Sequence, residues 1–256
     1  MNPLNTKRTV LITGAAGGIG RATVQTFSDK GWQVIGVDRS SYGDGFPSDG
    51  LFIQSDISDG ENMESIFNLA KDFTGELSAL VNNAAVQVAK PLLETTVEDW
   101  DLVMASNLRS VFLGTKLAHP LLKASGAGAI VNVSSVHAVA TSADISAYAA
   151  SKGGLLAFTR AIAIEFASDN IRVNAILPGA VDTPMLRAGL SRGHVTGSDI
   201  TQRLDNLARK TVSGKIGQPE EIALAIYFLA DSEQSSFMTG QALIVDGGAT
   251  ARLSTE

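Results

Sequence analysis

Tyr148 and Lys152 lie four residues apart at the start of a segment, 148–166, with strong helical character, so both side chains leave one face of a helix. An ammonium beside a phenol favours the phenolate, which makes such a pair a candidate general base at neutral pH. Taken alone the pair is a weak signal, because a solvated lysine beside a half-buried tyrosine is the commoner reason for that spacing. Ser135 changes the weighing. It follows an apolar run, 129–133, and precedes Tyr148 by thirteen residues; the carboxyl ends of strands are where open parallel sheets bind ligands.

A second constellation is Thr13-Gly14-Ala15-Ala16-Gly17-Gly18-Ile19-Gly20, directly after the first apolar run and opening a helical segment. A glycine-rich turn in that context lets the backbone approach a pyrophosphate and aims helix N-terminal amides at it, although a bare glycine pattern is as often an ordinary tight turn. Asp38 adds direction. It ends the second apolar run, 18 residues after Gly20, where a carboxylate can accept both hydrogens of an adenosine ribose diol and repel a 2′-phosphate. Ala15 to Gly17 supply no Lys or Arg for an extra phosphate, so NAD is favoured over NADP. Arg39 is the basic neighbour that could accept such a phosphate, stack on adenine or face solvent.

The elements that must position these groups read as an alternation. Apolar runs at 9–12, 33–37, 51–54, 79–81, 129–133, 172–176 and 242–245 are separated by segments of helical spacing, the pattern of a parallel sheet covered on both faces. This predicts one domain over 1–256, a doubly wound α/β fold of about seven strands. Helix signals support it: Gly31 after 19–30; a capping-box spacing at Ser58 and Glu61 before Met63, Ile66, Phe67, Ala70 and Phe73, closed by Gly75; Thr96 and Asp99 before one long helix to about Lys123; and Pro219 with Glu220 and Glu221 opening a helix to about Ala230. Two segments break the rhythm. Residues 40–50 read as a loop where such folds often place a helix, and 185–215, with four glycines, reads as a lid holding one or two short helices.

Composition sets the outer bounds. The 256 residues include no cysteine, 45% hydrophobic and 18% charged side chains, and 20 basic against 26 acidic groups for a net charge of −6. That excludes disulfide frameworks and thiolate metal sites and argues against disorder and against nucleic-acid or membrane partners. The apolar run after Lys7 and Arg8 is too short for a signal-peptide core, and no stretch approaches a spanning helix, so the expected location is cytoplasmic. His119 and His137 are far apart in sequence, and no catalytic metal is expected. Gly189-Leu190-Ser191-Arg192-Gly193 fits a hydrolase nucleophile elbow, but no strand precedes it and no acid separates the serine from a later histidine, His194 being the last.

Taken together in order, these motifs resemble the short-chain dehydrogenase/reductase family from about Thr9 to Gly248. The loop matches Thr-Gly-x-x-x-Gly-x-Gly, the family's Asn-Asn-Ala-Gly appears as Asn82-Asn83-Ala84-Ala85, and its catalytic asparagine matches Asn107. Its serine, tyrosine and lysine fall on Ser135, Tyr148 and Lys152, spacing to the tyrosine choosing Ser135 over Ser134. Asp56-Ile57 resembles the pair beside adenine, Pro178-Gly179 with Val181 and Thr183 the segment bordering nicotinamide, and Asp246-Gly247-Gly248 the last strand's ending. Ala85 departs from the family glycine and could narrow the cofactor wall.

The resemblance implies a Rossmann-type sheet with strand order 3-2-1-4-5-6-7 and NAD(H)-linked interconversion of a secondary alcohol and a ketone, with Tyr148 as acid/base, Ser135 donating to the substrate oxygen, and Lys152 lowering the tyrosine pKa and holding the nicotinamide ribose. Asn107 would hold a water through its backbone carbonyl. Gly14, Gly17, Gly18, Ile19, Gly20, Asp38, Arg39, Asn83 and Ala84 would complete the cofactor site. The family also implies a homo-oligomer, dimer or tetramer, through the 101–122 and 148–166 helices. Val86, Gln87, His137, Ala138 and Met185 are candidate pocket residues. With no arginine cluster among them, they suggest a neutral small-molecule substrate such as a sugar or polyol, a cyclic alcohol or a steroid-like compound, a reading that lid residues Arg187, Arg192 and Arg203 could overturn. A 3-oxoacyl-thioester reductase is the rival within the family, and a non-catalytic nucleotide-sensing protein the rival outside it.

Overall fold

The computed structural model describes residues 7–190 and 195–252. Continuous apolar runs make sense only where both faces of a strand are covered, and strand β1 (Thr9–Thr13) shows the division: Val10 and Ile12 enter one core and Leu11 the other. The split recurs in β2 (Gln33–Asp38), where Val34 faces one core and Ile35 and Val37 the other. With β3 (Leu51–Gln54), β4 (Ala79–Asn82), β5 (Ala129–Val133), β6 (Arg172–Pro178) and β7 (Ala242–Val245) they form a seven-stranded parallel sheet in the order β3-β2-β1-β4-β5-β6-β7, as expected. Four strands run one or two residues further than their apolar runs, to Thr13, Asp38, Asn82 and Pro178. Those extensions carry polar groups or a proline into the carboxyl edge.

One face is covered by α1 (Gly18–Asp29) and α8 (Pro219–Ala230) through Val24, Phe27, Ile222 and Ile226. Phe27 meets Trp32 and Tyr227 edge-on, at centroid distances of 5.1 and 5.2 Å. The opposite face is covered by α2 (Gly60–Thr74), α4 (Ser110–Ala124) and α5 (Ser146–Glu165) through Met63, Ile66, Leu122 and Ile162. Burying side chains of this size contributes roughly 1.5–3 kcal/mol each relative to leaving them in water.

Helix ends follow local chemistry, with two corrections. The cap of α2 is Asp59, whose carboxylate accepts from the Glu61 N–H at 2.8 Å, not the expected Ser58. An ionised acceptor one residue nearer the helix makes the stronger bond, and Ser58 is already turned back, donating its N–H and hydroxyl to Asp56 Oδ1 at 2.9 and 2.8 Å. The Thr96 and Asp99 capping box is formed, both bonds at 3.1 Å, and opens α3 (Val97–Met104). The long helix expected beyond it is interrupted: a π turn over Ala105–Arg109 separates α3 from α4. Residues 40–50 hold no helix, as read from sequence. The lid region holds α6 (Pro184–Gly189) and α7 (Ile200–Ala208). Ser191, Arg192, Gly193 and His194 of the hydrolase-like pattern lie outside the described residues; what leads to them is helix α6, not a strand. Among the described residues no helix is long and apolar enough to cross a membrane.

Candidate active site

The carboxyl ends of β1, β2, β4, β5 and β6 open into one cavity of about 860 Å³. At one end the 14–20 turn presents bare backbone. Gly14 has a positive φ of 67°, and a Cβ there would stand 2.8 Å from Ala84 Cα; a Cβ on Gly20 would stand 1.9 Å from the Gly14 carbonyl. Nothing but glycine fits that contact, and it brings the N-terminus of α1 to the cavity wall. Asn83 ties the turn to β4, donating from Nδ2 to the carbonyls of Thr13 and Gly14 at 3.0 and 3.1 Å, while Thr13 Oγ1 accepts from the N–H groups of Asn83 and Ala84.

Asp38 stands at the rim with both carboxylate oxygens oriented, Oδ2 accepting from Ala16 N–H at 3.0 Å and Oδ1 from Ser40 N–H at 2.9 Å. Asp56, Ile57 and Arg39 line the same end. The Asp56 carboxyl is held below the usual range, chiefly by the Ser58 N–H and hydroxyl, with the Arg39 charge adding to them. Gly17, Gly18, Ile19, Ala84, Ala85, Pro178, Gly179, Val181 and Thr183 also line the cavity. Thr183 caps α6, its hydroxyl accepting from Leu186 N–H at 3.2 Å. A bare glycine cradle, a helix N-terminus and an oriented carboxylate at one end of a long cavity are the donor and acceptor set a dinucleotide requires.

The other predicted residues meet beside that cradle. Ser135, Tyr148 and Lys152 are 7%, 8% and 2% exposed. Lys152 Nζ donates to the Val133 carbonyl at 2.7 Å and sits 5.7 Å from the centre of the Tyr148 ring. Burial pushes the Tyr148 phenol above its ordinary range, and the Ser135 hydroxyl facing it lowers it in part. This corrects the expectation that Lys152 sets a lowered tyrosine pKa: desolvation of the phenolate outweighs the other influences. Burial also brings Lys152 down from 10.5 to about 8.

Asn107 is fully buried in the π turn and does not line the cavity. Its Oδ1 accepts from Val86 N–H at 2.8 Å, and its Nδ2 donates to the Val86 carbonyl at 2.9 Å and to Ser151 Oγ at 3.1 Å. The side chain thereby clamps the loop after β4 to α5, one residue from Lys152.

Val86, Gln87, His137 and Met185 line the remaining part of the cavity. Ala138 does not; it packs on the cluster of Leu156, Ala175 and Leu177. The His137 ring meets Tyr148 edge-on at 6.0 Å, and its Nδ1 lies 3.2 Å from Thr141 Oγ1. Thr141, Ser142, Leu207, Lys210 and Thr250 complete this wall; they come from loop, lid and tail positions that no local motif marks. The lid arginines are otherwise engaged. Arg187 makes a bidentate pair with Asp182, both bonds 2.8 Å, and Arg203 donates to the carbonyls of Gly197 and Leu190 at 3.1 Å, while Arg192 lies outside the described residues. His119 bonds Asp169 at 2.7 Å and takes no part in the cavity lining.

The family described as Enoyl-(Acyl carrier protein) reductase matches residues 14–250. The chain is 36% identical to the 3-oxoacyl-(acyl-carrier-protein) reductase FabG of Thermotoga maritima, over 93% of this chain and 96% of that one. It is 37% identical to the cis-4-hydroxycyclohexanecarboxylate dehydrogenase of Sinomonas cyclohexanicum, over 96% and 97%. The solved structure of the aldohexose dehydrogenase of Thermoplasma acidophilum, in ligand-free form, superimposes with a TM-score of 0.90 at 31% identity, covering 97% of this chain and 96% of that one. The chain therefore belongs to the short-chain dehydrogenase/reductase family, nicotinamide-dependent oxidoreductases of alcohols and ketones or of 3-oxoacyl carrier-protein thioesters.

The Lys152 shift carries a stability prediction. Below pH 8 the folded and unfolded chains both hold the lysine proton, and the full cost of burying the ammonium is present. Between pH 8 and 10.5 only the unfolded chain holds it, so this contribution to stability rises with pH. The fall from 10.5 to about 8 corresponds to about 3 kcal/mol. Chemical denaturation of ligand-free protein is expected to show wild type gaining on Lys152→Met by an amount of that order between pH 7 and pH 10.5; parallel pH profiles would show the ammonium to be solvated.

Proposed function

We propose that the protein interconverts a secondary alcohol and the matching ketone with NAD(H), on a neutral hydroxyl compound such as a sugar or polyol, a cyclic alcohol or a steroid-like molecule. The observation that carries this reading is the placement of Ser135, Tyr148 and Lys152 in the same cavity as the glycine cradle and the oriented Asp38 carboxylate. A bound nicotinamide supplies the hydride acceptor for oxidation and the donor for reduction. The chain supplies the rest. Ser135 Oγ donates to the substrate oxygen, and Tyr148 takes the carbinol proton in oxidation and returns it in reduction. Lys152 holds the nicotinamide ribose; the Asn107 backbone carbonyl holds a water that exchanges protons with Lys152. Thr183 holds the carboxamide, with Pro178, Gly179 and Val181 beside the ring, and Asp56 and Ile57 border adenine. Holding reactants in this way can lower the barrier by roughly 7–11 kcal/mol in favourable cases.

Asp38 supports NAD over NADP, because a 2′-phosphate would meet its carboxylate. Neither Arg187 nor Arg203 lines the cavity, which supports a neutral substrate, while Lys210 brings one lid cation to the wall. The similarity to a 3-oxoacyl-(acyl-carrier-protein) reductase keeps a thioester substrate as the second reading. A groove of about 730 Å³ along α3, the π turn, α4 and α5 leaves Leu102 and Phe112 about half exposed, which supports a homo-oligomer built on these helices. Cytoplasmic location belongs to the same proposal.

Three outcomes test the reading. Purified protein offered NAD and NADP with sugars, cyclic alcohols, hydroxysteroids and, in reverse, a 3-oxoacyl thioester is expected to reduce NAD with one of the alcohols, and Tyr148→Phe to lose on the order of a thousandfold in kcat with NADH affinity kept within about twofold. Activity near wild type in that variant would remove Tyr148 from the mechanism, and NADH binding without turnover would favour a nucleotide-sensing role. Asp38→Ala, which leaves Arg39 at the ribose, is expected to shift the ratio of kcat/KM toward NADP; an unchanged ratio means that Asp38 does not touch the ribose. Light scattering is expected to give a dimer or tetramer for wild type and a smaller species for Phe112→Glu.

A further inference from the structure

We propose that Arg21 and Tyr42 are a positioning pair for the adenosine half of the cofactor, a role that rests on reading this cavity as a dinucleotide site. The crossover from β2 to β3 has no helix. In its place Tyr42, Phe46 and Phe52 form an aromatic cluster, with centroid distances of 4.9 Å from Tyr42 to Phe46, 5.6 Å from Tyr42 to Phe52 and 5.5 Å between the two phenylalanines. Phe46 seats on bare backbone, since a Cβ on Gly36 would stand 2.7 Å from its ring and one on Gly50 2.8 Å. Tyr42 is only 7% exposed. The crossover is thus pinned by packing rather than by a hydrogen-bonded helix.

Onto the Tyr42 ring α1 lays the Arg21 guanidinium, 4.1 Å from the ring centre. The same fork donates from Nε to the Ala16 carbonyl at 3.0 Å and from Nη2 to the Tyr42 carbonyl. One planar group therefore joins the glycine turn to the crossover loop. Ala16 is gripped at both ends, its carbonyl accepting from Arg21 and its N–H donating to Asp38 Oδ2, while Ser40 N–H donates to Oδ1 of the same carboxylate. Contacts therefore run from Asp38 through Ala16 and Arg21 to Tyr42, and the backbone from Tyr42 back through Ser40 returns to Asp38. This path fixes where the Asp38 carboxylate stands relative to the pyrophosphate cradle. Neither Arg21 nor Tyr42 lines the cavity, so the pair acts on the ligand through Ala16 and Asp38. Ordering these loops before the ligand arrives removes an entropy cost from binding.

The test uses binding alone, so it is independent of turnover. NADH, ADP-ribose and reduced nicotinamide mononucleotide are titrated into wild type, Arg21→Met, Tyr42→Leu and Tyr42→Phe. Arg21→Met is expected to raise the Kd of NADH and of ADP-ribose together by about tenfold and to leave the mononucleotide, which lacks the adenosine half, within about twofold. Tyr42→Leu should follow it in direction, and Tyr42→Phe, which keeps the ring and the carbonyl, should match wild type. Unchanged NADH affinity in Arg21→Met, or equal weakening of the mononucleotide, would overturn the pair's role. A wild type that prefers NADPH would refute the NAD reading alone, and the same titration with NADPH would still test the pair. A wild type that binds no dinucleotide would overturn both.

Discussion

The contact between Gly20 and the Gly14 carbonyl, too close for any side chain, is the constraint on which the rest of the site depends. It lets α1 begin directly at the end of β1, so the helix amides and the strand end share one small volume. Every other feature of the cofactor wall is built outward from that junction. Ala15 N–H pairs with the Val37 carbonyl, Ala16 N–H with Asp38, and Asn83 with the carbonyls of Thr13 and Gly14. The parallel sheet then does the remaining positioning, because covering both faces of each strand forces all strand ends of one sense onto one edge.

Exclusion of water governs the chemistry at that edge. Tyr148 and Lys152 are moved in opposite directions on the pH scale, yet both move toward their neutral forms, as expected when the charged forms lose hydration. The phenol of the ligand-free protein is therefore not a resting phenolate. The group that biases it toward releasing a proton is local: the Ser135 hydroxyl on the phenol. In such a dry site it exerts more influence than it would in water, and it need not reorganise as charge develops.

Much of this arrangement is legible in the sequence, for identifiable reasons. The strands and the glycine turn follow from apolar runs and from backbone demands that few residues satisfy, and the strand order from the family resemblance. Ser135, Tyr148 and Lys152 could be placed because a strand end and a helix face are both periodic features. The π turn at Asn107 was not legible, since inserting one residue into a helix leaves no gap in an apolar pattern read over long windows. The Asp59 cap competes with a neighbour of nearly equal suitability. Lys210, Thr250 and the Thr141 wall reach the cavity only through tertiary folding of lid, tail and loop. The upward shift of the Tyr148 phenol is not legible, because spacing gives proximity to Lys152 but not burial.

The aromatic plug in the β2 to β3 crossover has a consequence at the far border of the sheet. Among the described residues β3 pairs only with β2 and spans four residues, and its outer side has no partner strand. A border of unpaired backbone amides and carbonyls is a template for a strand of another chain. The short length of β3, and the ion pair of Lys7 with Asp49 just ahead of it, leave little flat surface for such recruitment. The crossover that seats Phe46 on Gly36 and Gly50 leads straight into this border strand, so one short loop sits between the cavity rim and the sheet edge.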